Sequence, residues 1–197
     1  MTRIIAGAAG SLSIAVPRSG TRPTSDRVRE AIFSALEARD AIDEAAVLDL
    51  YAGSGALGLE AASRGAPEVV LVERAKPAAD VCRRNADAVA RALRASQGPV
   101  RIRVAMRSVA GYLETATGTF DLVFIDPPYE LDEAALARDL ALLAPLLSAH
   151  AVVVVERSSR SPEPTWPDGI EPERRRDYGE TTLWWAHAQP ERPSQPE

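Results

Sequence analysis

The stretch VLDLYAGSGALGLEA, residues 47–61, decides the fold of this chain. It begins as a short apolar strand, continues through a glycine-rich turn and ends in residues typical of the first turns of a helix. Gly53 and Gly55 have no Cβ, so each can adopt a positive φ and let a ligand approach the backbone closely. The helix that follows would direct its free N–H groups toward that ligand. The stretch therefore predicts a strand–turn–helix unit that binds a nucleotide-sized molecule.

The spacing of the glycines is compatible with more than one cofactor. Gly53-x-Gly55-x-x-Gly58 fits the dinucleotide fingerprint, and Glu73 follows the first glycine by 20 positions. A nicotinamide-dependent oxidoreductase is one class that this pattern allows. Many α/β proteins have similar glycines for packing alone, so a second motif is needed to choose between the classes.

That second motif is Asp126-Pro127-Pro128-Tyr129, which directly follows the apolar strand pattern FDLVFI at 120–125. The two prolines remove two backbone donors and impose an extended turn. They would hold the Asp126 carboxylate and the Pro127 carbonyl at the carboxyl end of the strand, where open α/β sheets bind their ligands. Two rigid acceptors side by side suit an enzyme that grips a flat exocyclic amine, and have no evident use in a nicotinamide dehydrogenase.

Strand patterns alternate with helix patterns along most of the chain. Continuous apolar strands that alternate with helices predict a parallel sheet buried on both faces. The fold class is therefore α/β: a Rossmann-like, doubly wound, seven-stranded and mostly parallel sheet, with an antiparallel strand pair at the C-terminal end and a β-hairpin from 3–6 and 11–16 at the N-terminal end. Strands are predicted at 46–51, 69–73, 100–105, 120–125, 151–155, 171–178 and 181–187, and helices end near Ala38 and Arg64 or span 77–94, 109–114 and 132–147.

Length and composition suit one globular domain of 197 residues, 46% of them hydrophobic. We expect three parts: a hairpin extension and loop at 1–24, the main domain at 25–188 and a disordered tail at 189–197. No apolar run is long enough for a membrane helix, and the start lacks a signal-peptide pattern, so a cytoplasmic protein is expected. One cysteine and two isolated histidines predict neither an internal disulfide nor a metal site. We also expect a monomer.

Charge is unevenly distributed along the chain. The net charge of −5 argues mildly against a nucleic-acid enzyme, but residues 1–39 carry +3 and the remainder −8. Basic charge concentrated at one end is a candidate surface for phosphates.

These motifs resemble those of S-adenosylmethionine-dependent amino-methyltransferases of class I. The N-terminal segments RIIAG at 3–7 and RPTSDRVREAIF at 22–33 narrow the resemblance to the bacterial family that methylates N2 of a guanine in 16S ribosomal RNA. The similarity extends from about Arg3 to Trp185 and implies S-adenosyl-L-methionine as the cofactor.

The resemblance implies a set of cofactor contacts. Asp49 would lie near the methionyl end, and the Glu73 carboxylate would accept both ribose hydroxyl protons. Met106 and Arg107 follow the third predicted strand, where the family places its contacts with the edge of the adenine ring. The complete set of implied cofactor-binding residues is Thr24, Asp49, Tyr51, Ala52, Gly53, Gly55, Glu73, Arg74, Met106 and Arg107.

The resemblance also implies that Asp126, Pro127, Pro128 and Tyr129 are catalytic. The guanine N2 amine is a weak nucleophile because its lone pair is delocalised into the ring. Acceptance of its two protons by the Asp126 carboxylate and the Pro127 carbonyl would return electron density to nitrogen and orient the lone pair. Tyr129 would stack on a flipped base.

The implied partner is 16S ribosomal RNA, within a 30S subunit or an assembly intermediate, with Arg3, Arg18, Arg22 and Arg27 as RNA contacts. The family's hairpin is usually rich in lysine and arginine, whereas this chain has small residues there, so a weaker RNA contact is expected at the hairpin. A DNA or RNA adenine-N6 methyltransferase would use the same acceptors and stays open, although no separate target-recognition domain is evident. A protein-glutamine methyltransferase, which would normally carry Asn at position 126, and a non-catalytic RNA-binding ribosome-assembly protein are the remaining alternatives.

Overall fold

The computed structural model describes residues 1–17, 25–96 and 98–189. A seven-stranded sheet is its centre, with strands in the order β5-β4-β3-β6-β7-β9-β8. The seven strands are β3 (Ala46–Leu50), β4 (Glu68–Val72), β5 (Arg101–Ala105), β6 (Phe120–Ile125), β7 (Leu147–Ser158), β8 (Ile170–Tyr178) and β9 (Thr181–Ala188). The helices are α1 (Asp26–Glu37), α2 (Ala56–Ser63), α3 (Lys76–Ser96), α4 (Val109–Leu113) and α5 (Glu133–Leu143).

Five strands of the sheet are parallel, and the last two run antiparallel to their neighbours. β3 is central: it pairs in parallel with β4 on one side and with β6 on the other, so the strands before and after this point are added on opposite sides of β3. Ligands of open α/β sheets bind at the carboxyl ends of the strands beside such a point. The fold class predicted from the sequence is confirmed.

Buried apolar residues cover both faces of the sheet. On one face, Val47 and Leu71 belong to a core that includes residues of α1, α2 and α3. On the other face, Leu48 and Leu50 belong to a core that includes residues of α4 and α5. Alternate strand residues point to opposite faces, so a continuous apolar strand is the pattern that two helical layers require.

The helix starts follow from local capping chemistry. Ser25 accepts a hydrogen bond from Val28 N, Ser108 from Gly111 N and Asp132 from Ala135 N. Each cap satisfies one of the backbone donors that a helix leaves unpaired in its first turn.

The N-terminal hairpin is shorter than the sequence predicts. Its paired strands are β1 (Thr2–Arg3) and β2 (Ser13–Ile14), and the residues between them form turns. The buried Glu60 carboxylate of α2 accepts the backbone N–H groups of Ile5 at 2.6 Å and Ala6 at 3.0 Å. Because these two N–H groups bond to Glu60 of α2, they are not available to pair with the second strand of the hairpin. The division into an extension and a main domain stays a prediction.

Beyond the hairpin, two elements differ from their predicted bounds by more than two residues. α5 ends at Leu143, and a 3-10 turn (Ala144–Leu146) takes the place of its expected last turn. Pro145 has no backbone N–H to continue the α-helical ladder. β7 is longer than the predicted 151–155, because its first and last residues pair with β6 and β9 respectively.

Within the described ranges, no helix is long and apolar enough to cross a membrane. The expected tail at 189–197 lies outside the described residues except for Gln189.

Candidate active site

A cavity of about 490 Å³ opens at the carboxyl ends of β3, β4 and β6. The starts of α4 and α5 form its other walls. The structure brings together six of the residues that the sequence singles out, all in the wall of this cavity: Tyr51, Glu73, Arg74, Arg107, Asp126 and Pro128. They come from four separate segments of the chain, which meet only because parallel strands end at one edge of the sheet.

The glycine turn lies beside this cavity and has little free space behind it. Gly53 and Gly55 both have positive φ, 54° and 82° respectively. A Cβ on Gly55 would lie 3.0 Å from Cys82 Sγ, and a Cβ on Gly58 would lie 2.9 Å from Val69 Cγ1. The backbone conformation and the close packing of α2 on the sheet therefore both require glycine. These contacts lie on the protein side of the turn, so contact of the glycines with a cofactor stays a prediction.

Asp49 lies beneath the turn and is only 1% exposed. Its Oδ2 accepts the Gly58 N–H at 2.9 Å, so the carboxylate caps the backbone of α2 from below. Burial raises the pKa of Asp49 to about 7; the Gly58 hydrogen bond lowers that pKa, and the negative charges of Asp126 and Glu73 raise it further. The observed partner of Asp49 is thus the turn itself, and its contact with a cofactor stays a prediction.

Glu73 follows β4 and contacts the same turn. Its Oε2 accepts the Gly53 N–H at 3.0 Å, and its Oε1 accepts the Ala75 N–H at 2.6 Å. A carboxylate oxygen can accept more than one hydrogen bond, so these bonds orient Glu73 and still leave room for the predicted ribose hydroxyls. Ala52 N donates to Val72 O at 2.9 Å and joins the turn to β4.

Asp126 follows β6 and begins the loop that the sequence predicts to be catalytic. Its N–H lies 3.5 Å from Leu50 O, which places it next to the end of β3. Pro127 is buried, whereas Tyr129 is 55% exposed. Leu131 N donates to Pro128 O at 2.9 Å and closes the turn. The loop thus has a fixed base and an exposed aromatic side chain.

The remaining residues predicted to bind cofactor or RNA differ in their exposure and in their partners. Met106 is 45% exposed, and the Arg107 guanidinium donates to Thr115 Oγ1 at 2.7 Å while it lines the cavity. Arg3 and Arg27 are exposed. Thr24, Arg18 and Arg22 lie outside the described residues.

Two buried residues beside the loop that begins at Asp126 were not predicted from the sequence. Arg157 of β7 is 4% exposed and donates to Leu131 O at 3.1 Å and to Glu133, so it anchors the far end of the loop. Asp139 of α5 is 2% exposed and accepts a short hydrogen bond from the Tyr51 hydroxyl. A charged residue within an apolar pattern was the available signal for both, because such residues are rarely buried without a partner.

The fold and the site together define a class. A doubly wound sheet with this strand order, a glycine turn after its central strand and Asp-Pro-Pro-Tyr after the neighbouring strand make this chain a Rossmann-like protein of the methyltransferase type. A solved structure described as a putative methyltransferase, yhhF, from Escherichia coli superposes with a TM-score of 0.80 at 30% identity and covers 95% of this chain and 98% of that one.

Sequence comparison gives the family. Residues 2–187 match the family described as Conserved hypothetical protein 95, and the chain belongs to it. Ribosomal RNA small subunit methyltransferase D of Haemophilus influenzae is 34% identical over 163 residues, which cover 81% of this chain and 80% of that protein. The putative rRNA methyltransferase YlbH of Bacillus subtilis is 31% identical over 180 residues, 91% of this chain and 95% of that protein. The family resemblance inferred from the motifs is confirmed.

Proposed function

We propose that this protein transfers a methyl group from S-adenosyl-L-methionine to the exocyclic N2 of a guanine in 16S ribosomal RNA. The observation that carries the proposal is the position of Asp126: it directly follows β6 and, with Pro128, lies in the wall of the same cavity as Glu73 and Tyr51. Membership of a family whose relatives include small-subunit ribosomal RNA methyltransferases supports an RNA acceptor.

The residues of the cavity fit this cofactor. Glu73 would hold the ribose, and the apolar residues at the starts of α4 and α5 suit the flat adenine ring. The turn from Tyr51 to Gly55 would lie against the methionyl part, with Arg74 and Arg107 at the rim. The bound cofactor supplies an electrophilic methyl group on a sulfonium. The negative charges of Glu73 and Asp126, both in the wall of the cavity, would favour that positive charge.

The protein's part in the reaction is to hold the amine. Asp126 Oδ and the Pro127 carbonyl would each accept a hydrogen bond from one N2 N–H, which keeps the lone pair directed at the methyl carbon. As the N–C bond forms and the S–C bond breaks, nitrogen becomes positive and these acceptors stabilise it. One N2 proton then leaves toward the Asp126 carboxylate and solvent. The proline-stiffened loop reduces the motion that would misalign the two acceptors.

The acceptor base must leave its stack to reach this site. Tyr129 is exposed on the loop and would stack on the flipped guanine. Arg3 and Arg27, both exposed near the N-terminal hairpin and α1, would contact phosphates, as would Arg18 and Arg22. We further propose a monomer that acts in the cytoplasm on a 30S subunit or an assembly intermediate.

The test supplies tritiated methyl donor with unmodified 30S subunits, naked 16S RNA or DNA, and identifies the labelled nucleoside after digestion. Label in N2-methylguanosine from ribosomal material is expected. Label in adenine or in DNA would replace the acceptor while retaining the role of Asp126. Tight binding of the donor with no label in any acceptor would favour a non-catalytic assembly protein.

A smaller test addresses the RNA contacts. Replacement of Arg3 and Arg27 by Ala is expected to raise KM for RNA and to lower the salt dependence of binding by about one charge per arginine. Glu30→Gln, at an exposed acidic position on α1, is the matched control for an altered surface charge. An unchanged salt dependence in the arginine variant would place the RNA surface elsewhere.

A further inference from the structure

Asp139 is a buried acidic residue in the wall of the cavity, and none of the steps above uses it. It is 2% exposed, and its Oδ2 accepts the Tyr51 hydroxyl. Its Oδ1 is buried with no hydrogen-bond partner. A buried carboxylate oxygen without a partner is costly, so it requires an explanation.

The position of Asp139 on α5 directs it into the cavity. Ala135, Arg138 and Asp139 all line the cavity and stand at positions i, i+3 and i+4 of one helix. Residues with this spacing share one face of a helix. Across the cavity from this face lie Val109 and Ala110, at the start of α4.

The backbone of Tyr51 gives a second indication that the hydrogen-bonded pair of Tyr51 and Asp139 has a function. Its φ of 63° lies in the left-handed region, which costs a residue with a side chain free energy. Such a conformation persists when the surroundings hold it, and it is found at ligand sites. The Asp139 carboxylate holds the far end of this side chain, so the pair links the glycine turn to the helix that follows the catalytic loop.

Asp139 Oδ1 can accept a hydrogen bond from a ligand in the cavity. Arg74, Arg107 and Arg138 line the cavity and offer only N–H donors. Of the other acidic residues in the wall, Glu73 is assigned to the ribose and Asp126 to the target amine, and Glu130 is exposed to solvent. Small apolar side chains between α4 and α5 suit a flat heterocycle. An adenine bound there would present its exocyclic amino group, which needs a hydrogen-bond acceptor.

We propose that Asp139 is an additional binding and specificity residue of this cavity, whose Oδ1 accepts the exocyclic amine of the adenine of the methyl donor. Tyr51 acts as a positioning residue, because its hydroxyl occupies Oδ2 and leaves Oδ1 facing the purine. This assignment rests on the proposed function, which places S-adenosyl-L-methionine in the cavity. It makes the cavity selective for a purine that carries an amino group over one that carries an oxo group.

Calorimetric titration with two ligands tests the assignment. S-adenosylhomocysteine carries the amine, and S-inosylhomocysteine has an oxygen in its place. The wild type is expected to bind the adenosyl ligand about tenfold or more tightly, because a hydrogen bond to a buried charged group is lost with the inosyl ligand. Equal affinities in the wild type would overturn the proposal without any variant.

The variant Asp139→Asn sharpens the result. An amide can still accept the Tyr51 hydroxyl through its oxygen and then presents N–H to the purine, so the preference is expected to disappear or invert. Tyr51→Phe leaves the carboxylate in place and is expected to keep a preference for the adenosyl ligand. Glu114→Gln, an exposed position outside the cavity, is the charge-matched control. A similar loss of affinity for both ligands in Asp139→Asn would show a structural role and overturn the proposal.

The same titrations separate this inference from the proposed function. If the wild type bound neither ligand, the methyl-donor assignment of the cavity would fall and the inference with it. If both ligands bound the wild type and Asp139→Asn with unchanged preference, the proposed function would stand and the inference alone would fail. If Asp139→Asn changed only KM for RNA, the amine that Asp139 accepts would belong to the target base, and the adenine assignment would be wrong.

Discussion

The glycine turn after β3 and the loop after β6 lie side by side at one edge of the sheet, and an aspartate is associated with each. Asp49, in β3 beneath the turn, and Asp126, at the start of the loop, have opposite settings. Asp49 is 1% exposed and bound to the Gly58 N–H, whereas Asp126 lines the open cavity. The turn is held by internal hydrogen bonds and by glycines with no space for a side chain. The loop is held by its prolines and by Arg157 at its far end.

The comparison distinguishes an aspartate with a structural role from one that is placed to act on a ligand. An acid that satisfies a buried backbone donor stabilises the shape of the turn, and an acid that faces the cavity can act on a ligand. Both acids end an apolar strand in the sequence, so the pattern alone assigns them similar roles. Substitutions in the two segments should therefore affect different measurements.

The largest effect is expected in the loop. Asp126→Ala removes an acceptor for the amine, and methyl transfer is expected to fall about 100-fold or more, as when other preorganised polar groups are removed from active sites. Binding of S-adenosylhomocysteine should change little. Tritium incorporation and calorimetry measure the two quantities.

Asp126→Asn is the matched control, since it retains one acceptor oxygen and should lie between the wild type and the alanine variant. Retained turnover in Asp126→Ala would contradict the division of roles between the two segments.

The next effect is expected in the turn. Gly58→Ala places a Cβ against Leu71 and within 2.9 Å of Val69 Cγ1, so α2 must move away from the sheet. Overpacking of this kind costs about 2–3 kcal/mol of unfolding free energy. Chemical denaturation measures the loss.

Gly111→Ala in α4 is the control, because its Cβ would approach only the Ser108 side chain. The expected cost is at most that of the Ser108 cap, about 1 kcal/mol. Equal stability changes in the two variants would show that α2 is not tightly packed against the sheet.

The third effect concerns the pH dependence of stability. Burial raises the pKa of Asp49 from its ordinary value of 3.8 to about 7, so between these two values the folded protein holds a proton that the unfolded chain has released. Stability therefore falls as pH rises through this window, at up to about 1.4 kcal/mol for each pH unit. Asp49→Asn removes the titrating group. Between pH 5.5 and 7, the unfolding free energy of this variant should fall by about 1–2 kcal/mol less than that of the wild type.

Urea denaturation at several pH values measures the effect. Asp121→Asn, which alters a carboxylate that accepts the Ala46 N–H at 2.9 Å, controls for the loss of an acidic group elsewhere in the sheet. A pH dependence identical to that of the wild type in Asp49→Asn would show that Asp49 is already ionised across this window.

Much of this protein could be predicted from the order of its residues. The period of the apolar residues determined the strands and helices, because each buried face must match its own backbone repeat. Gly53, Gly55 and Asp126-Pro127-Pro128-Tyr129 indicated the edge of the sheet at which the cavity opens, since their backbone limits are properties of the residues themselves.

The tertiary structure alone decided what the acidic residues contact. Tyr51 and Asp139 are 88 positions apart, and Leu131 and Arg157 are 26 apart, so no local pattern could pair them. Burial of Asp49 beneath Gly58 likewise depends on how closely α2 packs on the sheet. A side chain's type follows from the sequence, but its partner and its exposure to solvent depend on which distant segments the fold brings beside it.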